Sequence, residues 1–313
     1  MADNDGQWER GLIEKLAGAA LKEQRRARLW GIFWKILTFA YITVVIVLAI
    51  DWKGGDGKGG KHTALVEIGG VIAPGTDASV EKIATALQAA FKDKNTQGVV
   101  LRINSPGGSP VQSQEIYDEM KRLRLKYPAI PLYVVVEDLC ASGGYYVAAA
   151  ADKIYVAKGS IVGSIGVRMD SFGVVGLMEK IGVERRLITA GKNKAMLDPF
   201  LPQEDSHKQI ITGLIGEIHD QFIAAVREGR GKRLKETPDM FSGLIWSGAK
   251  SIELGLADAI GGLDYVAREV IKAEEIVDYT QKENLAEKVA RRFGAGAMGS
   301  LLEFAARSGL AIQ

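Results

Sequence analysis

The sequence predicts an α/β protein with a largely parallel sheet covered by helices, preceded by one N-terminal transmembrane helix. From Thr63 onward, short continuous apolar runs alternate with segments whose apolar residues recur at helical spacing, as in β-α-β units. Residues 29–50 form an apolar stretch interrupted only by Lys35, which is long enough to cross a hydrocarbon core of roughly 30 Å. The 313 residues, 47% of them hydrophobic, suffice for one large domain with appendages.

Basic residues are unequally distributed about this apolar stretch. Six precede it and three follow it: Arg10, Lys15, Lys22, Arg25, Arg26 and Arg28, then Lys53, Lys58 and Lys61. The asymmetry predicts a single-pass protein whose N-terminus is cytoplasmic. We therefore expect residues 1–28 to be a cytoplasmic segment, 29–50 the transmembrane helix and 51–62 a flexible Gly/Lys-rich linker. A cleavable signal peptide is disfavoured, because the apolar core is too long and no small-x-small site ends it.

The domain that follows is expected over residues 63–275, with 276–313 as a C-terminal tail. Strands are predicted at residues 64–72, 99–103, 132–136 and 154–156. Helices are predicted around residues 80–91, from 110, over 143–151 and within 203–229, with short helices and glycine turns between 246 and 262.

Composition excludes several classes of function. The net charge of +2 and the absence of a basic stripe interleaved with aromatic residues argue against a nucleic-acid partner. The single cysteine, Cys140, excludes an intrachain disulfide and a cysteine-rich zinc site. We expect no cofactor and no metal.

The motif Asn104-Ser-Pro-Gly-Gly108 follows a predicted strand and precedes Ser109-Pro110, a favourable N-cap and N1 pair. The amides of Gly107 and Gly108 are thus expected where a strand turns into a helix, with no Cβ to obstruct a substrate. Such donors can stabilise a developing oxyanion.

Ser142 lies between the strand at 132–136 and Gly143-Gly144, at a predicted helix N-terminus. Backbone amides and the helix dipole favour negative charge there, so Ser142 is a candidate nucleophile and the Gly143 amide a candidate oxyanion donor. The alternative is that Ser142 is merely an N-cap. The hydrolase motif G-x-S-x-G is absent, which disfavours an α/β-hydrolase.

A serine nucleophile needs a base, and the three histidines are predicted to lie in the linker or on a helix away from these motifs. Lysine is the remaining candidate, although an ordinary lysine has a pKa near 10.4 and must be desolvated to act as a base. Lys194 precedes an apolar run, while Lys192 is not excluded by the residues alone. Ser164 could orient the amine, or could belong to a simple glycine-rich turn.

Taken together, these motifs resemble the bacterial signal peptide peptidase A family, membrane-anchored serine–lysine proteases with a Clp protease/crotonase-like fold. The resemblance covers roughly residues 63–270 and includes Gly163-Ser-Ile-Gly-Val167, Gly191-Lys-Asn-Lys194 and Gly255-Leu-Ala-Asp258. It implies Ser142 as nucleophile, Lys194 as base, Ser164 as its orienting partner, and Gly108 with Gly143 as the oxyanion hole. One departure is Asp198 before Pro199, a carboxylate that would oppose the role of Lys194 as base.

The resemblance also implies a serine endopeptidase that cleaves residual signal peptides or other apolar peptides in or beside the membrane. It implies a ring-like homo-oligomer in the bacterial cytoplasmic membrane, in contact with lipid and with the catalytic domain on the outer side. Three alternatives stay open: trimming of a different membrane protein, an acyl-CoA enzyme of the crotonase type, and a non-catalytic membrane scaffold.

Overall fold

A computed structural model describes residues 18, 22–44 and 60–281. The chain divides into two compact units, Met1–Gly57 and Lys58–Gln313. In the first unit, residues 22–44 form helix α1, whose side chains are exposed along its whole length. Residues 45–50 of the predicted span, and most of the predicted linker, lie outside the described residues. Over the part of the chain that is described, no helix is both long and apolar enough to cross a membrane.

The second unit alternates strands and helices in the predicted order. Its strands are β1 His62–Gly69, β2 Thr96–Ser105, β3 Leu132–Ala141, β4 Lys153–Val156, β5 Ile161–Gly163, β6 Ile245–Ser247, β7 Ala259–Ile260 and β8 Ile276–Asp278. Its helices are α2 Val80–Lys92, α3 Pro110–Lys126, α4 Gly143–Ala148, α5 Val175–Ile181, α6 Asp205–Arg230, α7 Gly248–Glu253 and α8 Leu263–Tyr265, with short helical turns at Gly231–Arg233 and Val266–Ile271.

The described strands form one sheet in the order β6-β5-β3-β2-β1-β8, with β4 pairing to β3 and β7 to β4. Every pairing is parallel except that of β5 with β6. The predicted α/β fold with a largely parallel, helix-covered sheet is therefore confirmed.

Strand β3 pairs with two different neighbours along one side. Its first half, from Tyr133 to Val136, is in register with β4, and its end, from Leu139 to Ala141, is in register with β5. On the other side, the pairing with β2 shifts register between Ile103 and Ser105. The sheet thus divides into two arms just before the end of β3.

Both faces of the central strands are buried, which explains their continuous apolar sequences. In β2, Val99, Leu101 and Ile103 belong to the main core, together with residues of α2, α3 and α4. Val100 points to the opposite face, where it joins a smaller cluster with Val135, Tyr155 and Val266.

The boundaries differ from the predictions at several points. The first strand ends at Gly69 instead of residue 72, because the chain turns at Gly70, which has φ of 77°. The helix expected over 143–151 ends at Ala148. At the domain ends, His62 is a buried residue of β1, and β8 continues the sheet beyond residue 275 by pairing with β1.

A buried ion pair connects the end of α6 to the sheet. The Arg230 side chain is fully buried, and its Nη1 donates to Oδ2 of Asp258 at 2.8 Å. The same oxygen accepts the Ile154 amide at the start of β4, and Arg233 lies 3.3 Å from Oδ1. Burial by itself raises the pKa of Asp258. The opposing effect of Arg230 and Arg233 is larger, so the pKa lies below its usual value.

Replacing Asp258 with alanine is expected to lower the free energy of unfolding by about 3–5 kcal/mol, because it leaves a buried guanidinium unpaired. The lowered carboxyl pKa also means that the wild type loses this stabilisation as the pH falls from about 4 downward. Urea unfolding at several pH values measures both effects, and Asp258→Ala should lack this part of the acid dependence.

The matched control is Glu253→Ala, which breaks the exposed pair with Lys250 on α7. Since exposed ion pairs contribute little, that change is expected to destabilise the protein far less than Asp258→Ala does. Equal, small losses in the two variants would show that the buried pair does not hold α6 to the sheet.

Candidate active site

Ser142 occupies the single residue between the end of β3 and the start of α4. Its backbone has φ of 51° and ψ of −124°, a conformation that is strained for a residue with a side chain. Two hydrogen bonds maintain it: the Ser142 amide donates to the Gly163 carbonyl at 2.8 Å, and its own carbonyl accepts the Tyr146 amide at 2.9 Å. Strand, turn and helix together therefore define the position of the hydroxyl.

The amides of Gly108 and Gly143 lie close together beside Ser142. A Cβ added to Gly143 would stand 3.2 Å from the Gly108 nitrogen and 2.4 Å from Oγ of Ser113. Within the described residues, neither amide donates a hydrogen bond to another protein group. Two free donors near one hydroxyl are the arrangement that an oxyanion hole requires.

Gly108 is held by a short parallel bridge to Ile72. The Ile72 amide donates to the Gly107 carbonyl at 2.9 Å, and the Ser109 amide donates to the Ile72 carbonyl at 2.8 Å. A Cβ on Gly108 would meet that carbonyl oxygen at 2.0 Å, and its φ is 156°. This contact leaves the intervening Gly108 amide free and directs the loop toward Ser142.

The hydroxyl and the two amides open into a cavity of about 660 Å³. Ser164 lines the same cavity, has φ of 52°, and is fixed through its amide, which donates to the Leu244 carbonyl at 2.7 Å. Apolar side chains form much of the wall: Val71, Tyr146, Val167, Ile218 and Phe222. The cavity can therefore hold a carbonyl group at Ser142 and apolar groups beside it.

The predicted lysine base is placed elsewhere. Lys194 is exposed and lines a separate, shallow cavity of about 370 Å³, bounded by residues 187–198. Lys192 is also exposed, and neither lysine lines the Ser142 cavity. Within one chain, the structure thus brings together Ser142, Ser164, Gly108 and Gly143 but does not add Lys194 to them.

No described residue of the cavity offers an alternative base. His207 and His219 do not line it, and His219 instead contacts the Ile165 carbonyl at 3.3 Å. Tyr146 lines it, but burial raises the pKa of that phenol, which therefore stays protonated near neutral pH. In the described part of the chain, no group of three or more His, Cys, Asp or Glu side chains could hold a metal ion.

Sequence reasoning missed two residues that shape the site. Ser113 is fully buried in α3 under Gly143, and its hydroxyl donates to the Ser109 carbonyl at 3.0 Å. Ile72 holds Gly108 through main-chain groups alone, so no side-chain pattern could have indicated it. For Ser113, the available signal was a polar residue on the buried face of α3, one turn after the N-cap Ser109.

Comparison with known families supports a relationship with two groups of proteins. Residues 124–277 match peptidase family S49, and residues 65–158 match the Clp protease family. The first range includes Ser142, Ser164 and Lys194, and the second contains both glycines of the candidate oxyanion hole.

Individual relatives cover different shares of the chain. The Methanocaldococcus jannaschii protein "Putative protease MJ0651" is 33% identical over 77% of this chain and 82% of its own length. The Enterococcus faecium protein "Putative signal peptide peptidase SppA" is 30% identical over 72% and 67%, respectively. The Brucella abortus protein "Na(+)/H(+) antiporter NhaA" is 45% identical over 64% of this chain, which spans only 27% of that protein's length.

The contact between Gly143 and Ser113 predicts a compensating pair of substitutions. Gly143→Ala should lower the free energy of unfolding by about 1–3 kcal/mol, because the new methyl group is forced against the Ser113 hydroxyl. Adding Ser113→Ala should recover part of this loss, as measured by thermal unfolding of the single and double variants.

Gly216→Ala is the control, because α6 leaves open space around that glycine. It is expected to be neutral or to stabilise the helix by up to about 1 kcal/mol. Strict additivity of Gly143→Ala and Ser113→Ala would contradict the close approach of α3 to the start of α4.

Proposed function

Because this chain belongs to peptidase family S49, whose members are serine-type peptidases, we propose that it is an endopeptidase with Ser142 as nucleophile and Lys194 as general base. One observation carries the proposal: Ser142, with its strained backbone, lies in one cavity with the two free amides of Gly108 and Gly143. Family membership also disfavours the acyl-CoA and scaffold alternatives.

The reaction follows from these groups. Oγ of Ser142 bonds to the peptide carbonyl carbon while the neutral Lys194 amine takes the hydroxyl proton, and the carbonyl oxygen becomes an oxyanion. The amides of Gly108 and Gly143 stabilise that charge. Collapse of this tetrahedral intermediate breaks the peptide C–N bond. The lysine ammonium gives its proton to the leaving amine, and the acyl group remains as an ester on Ser142. Water, deprotonated by the same amine, then attacks the ester carbonyl; the C–Oγ bond breaks, the acid product leaves, and the lysine ammonium returns the proton to Oγ of Ser142.

The base is proposed to come from a second copy of the chain. Lys194 of one copy lines a cavity apart from its own Ser142, and the segment around it exposes many large apolar side chains. These are Met169, Phe172, Leu177, Ile181, Val183, Leu187, Ile188, Leu197 and Phe200. A neighbour that covers this surface would bury the apolar area and bring the amine to Ser142. Repetition of such a head-to-tail contact about a closed rotation axis would form the proposed ring.

Ser164 is proposed to orient the incoming amine. It lines the Ser142 cavity and follows Gly163, whose carbonyl accepts the Ser142 amide, and its own amide donates to the Leu244 carbonyl. A hydroxyl that accepts a hydrogen bond from the amine leaves the nitrogen lone pair directed at Oγ of Ser142.

The substrate class is proposed from the wall of the cavity. Ile218, Phe222 and Val71 favour apolar side chains next to the scissile bond. Residual signal peptides are apolar segments of this kind, and the name of the Enterococcus relative points to the same substrate. Trimming of a different membrane protein uses the same chemistry and is the alternative.

Attachment to the bacterial cytoplasmic membrane is proposed through residues 29–50. The described part of this stretch is helical and exposes Leu29, Trp30, Ile32, Phe33 and Trp34 among other large apolar side chains. Exposed apolar groups on one helix favour contact with lipid. The distribution of basic residues supports a cytoplasmic N-terminus and an extracytoplasmic catalytic domain.

Ser142→Ala and Lys194→Ala are each expected to abolish cleavage of an apolar reporter peptide by the full chain in detergent. Because the two groups are proposed to meet across copies, refolding or co-expressing the two variants together should restore up to about a quarter of the wild-type activity. Ser142→Ala should also lose labelling by a fluorophosphonate.

Lys192→Ala is the matched control, since Lys192 is an exposed lysine two residues away, and it should keep most of the activity. Retained turnover in purified Lys194→Ala would rule out Lys194 as the general base for Ser142. Inactive mixtures, with both single variants folded, would contradict the shared site.

The membrane proposal predicts that the full chain sediments with membranes and resists extraction at alkaline pH. The double change Ile36→Glu and Leu37→Glu should shift it to the extractable fraction, because charged groups are costly in the hydrocarbon core. The same changes at Ile210 and Leu214, exposed apolar residues of α6, are the control. Equal extraction of both variants would contradict attachment through residues 29–50.

A further inference from the structure

The carboxylate of Asp198 lies four residues after the lysine assigned as base. The two side chains line the same cavity of about 370 Å³, whose other lining residues are uncharged. Those residues are Leu187, Thr189, Ala195, Met196 and Leu197. A carboxylate near an amine stabilises the ammonium form, which cannot accept a proton from a serine. An unpaired Asp198 would therefore oppose the chemistry.

Both oxygens of this carboxylate are already engaged. Nη2 of Arg185 donates to Oδ2 at 2.9 Å, and the Phe200 amide donates to Oδ1 at 2.9 Å. The Arg185 guanidinium also lies 5.6 Å from the centroid of the Phe200 ring, which holds it over the loop. The Asp198 side chain is only 14% exposed. The backbone amide of Phe200 and then Arg185 hold the pKa of Asp198 below its usual value, so it stays ionised.

The charged or titratable groups nearest to this pair in the described residues include Lys192, two residues before Lys194, and His207. His207 of α6 lines a second cavity, of about 260 Å³, together with Asp198, and lies 3.8 Å from Glu204. Arg185 is the cation in direct contact with the carboxylate.

We propose that Arg185 is a positioning residue for the base: by pairing with Asp198, it keeps that carboxylate from pairing with the Lys194 amine. The inference rests on the proposed role of Lys194. Without the guanidinium, the carboxylate and the lysine would pair across their shared cavity. That pair would both protonate the amine and draw it back from the serine that it has to reach.

The test is the pH profile of kcat/KM for the full-length enzyme. A lysine base makes activity rise with pH, so any group that stabilises the ammonium moves this rise to higher pH. Arg185→Gln is expected to move it upward by about one pH unit, which is about a tenfold loss on the acid side and little loss at high pH. Asp198→Asn should move it downward, because the guanidinium then faces the amine alone.

Two further variants make the interpretation specific. Arg185→Lys keeps the positive charge and should retain a nearly wild-type profile. The double variant Arg185→Gln with Asp198→Asn removes both charges, and its rise should return toward the wild-type position. Opposite shifts in the single variants and cancellation in the double variant are outcomes that a purely structural role would not produce.

The matched control is Arg227→Gln. Arg227 also pairs with a carboxylate, that of Glu236, and also lies over an aromatic ring, that of Phe241, at 5.0 Å. It stands 20 residues along α6 from His207, roughly 30 Å away. Its loss should leave the pH profile unchanged.

An unshifted profile in Arg185→Gln, or a loss by the same factor at every pH, would overturn the inference. If Arg185→Gln does not fold, Asp198→Asn and the double variant decide. The inference is supported if Asp198→Asn moves the pH profile downward and the added Arg185→Gln cancels that shift. It is overturned if Asp198→Asn leaves the profile unchanged. Full activity in Lys194→Ala would instead show that Lys194 is not the base. Failure of the proposed function can therefore be distinguished from failure of the inference about Arg185.

Discussion

The close approach of two chain segments is the constraint on which the site depends. The turn at 107–108 packs directly against the junction of β3 and α4, and this is possible only because Gly108 and Gly143 carry no side chains. The approach places two amides beside Ser142, whose strained backbone conformation is maintained by its hydrogen bonds to Gly163 and Tyr146. The bridge from Ile72 supports the turn from behind, so three separate segments define one small volume.

Elements with a clear periodicity could be predicted from the sequence, and elements held by distant partners could not. The buried strands β2 and β3 and the amphipathic helices α2, α3 and α6 each contain enough residues to show a pattern. Strands β5, β6, β7 and β8 contain at most three residues each, so no local sequence pattern distinguishes them from turns. Their pairing is a property of the folded sheet.

The candidate site divides in the same way. Ser142, Gly108 and Gly143 could be identified because short motifs mark the ends of buried strands, where parallel sheets assemble their functional groups. The support from Ser113 and Ile72 depends on contacts between elements far apart in sequence. The sequence shows Asp198 close to Lys194, but it does not show that Asp198 pairs with Arg185. Arg185 lies 13 residues before Asp198, on an exposed stretch without a regular pattern.

The tandem pairing of β3 has a consequence for how the chain tolerates changes in length. One side of a single ten-residue strand aligns first with β4 and then with β5. A one-residue insertion near Glu137 would invert the inward and outward side chains of the second arm while leaving the first unchanged. Related proteins should therefore keep the spacing between the two arms constant and vary in length at surface connections between elements, not within β3.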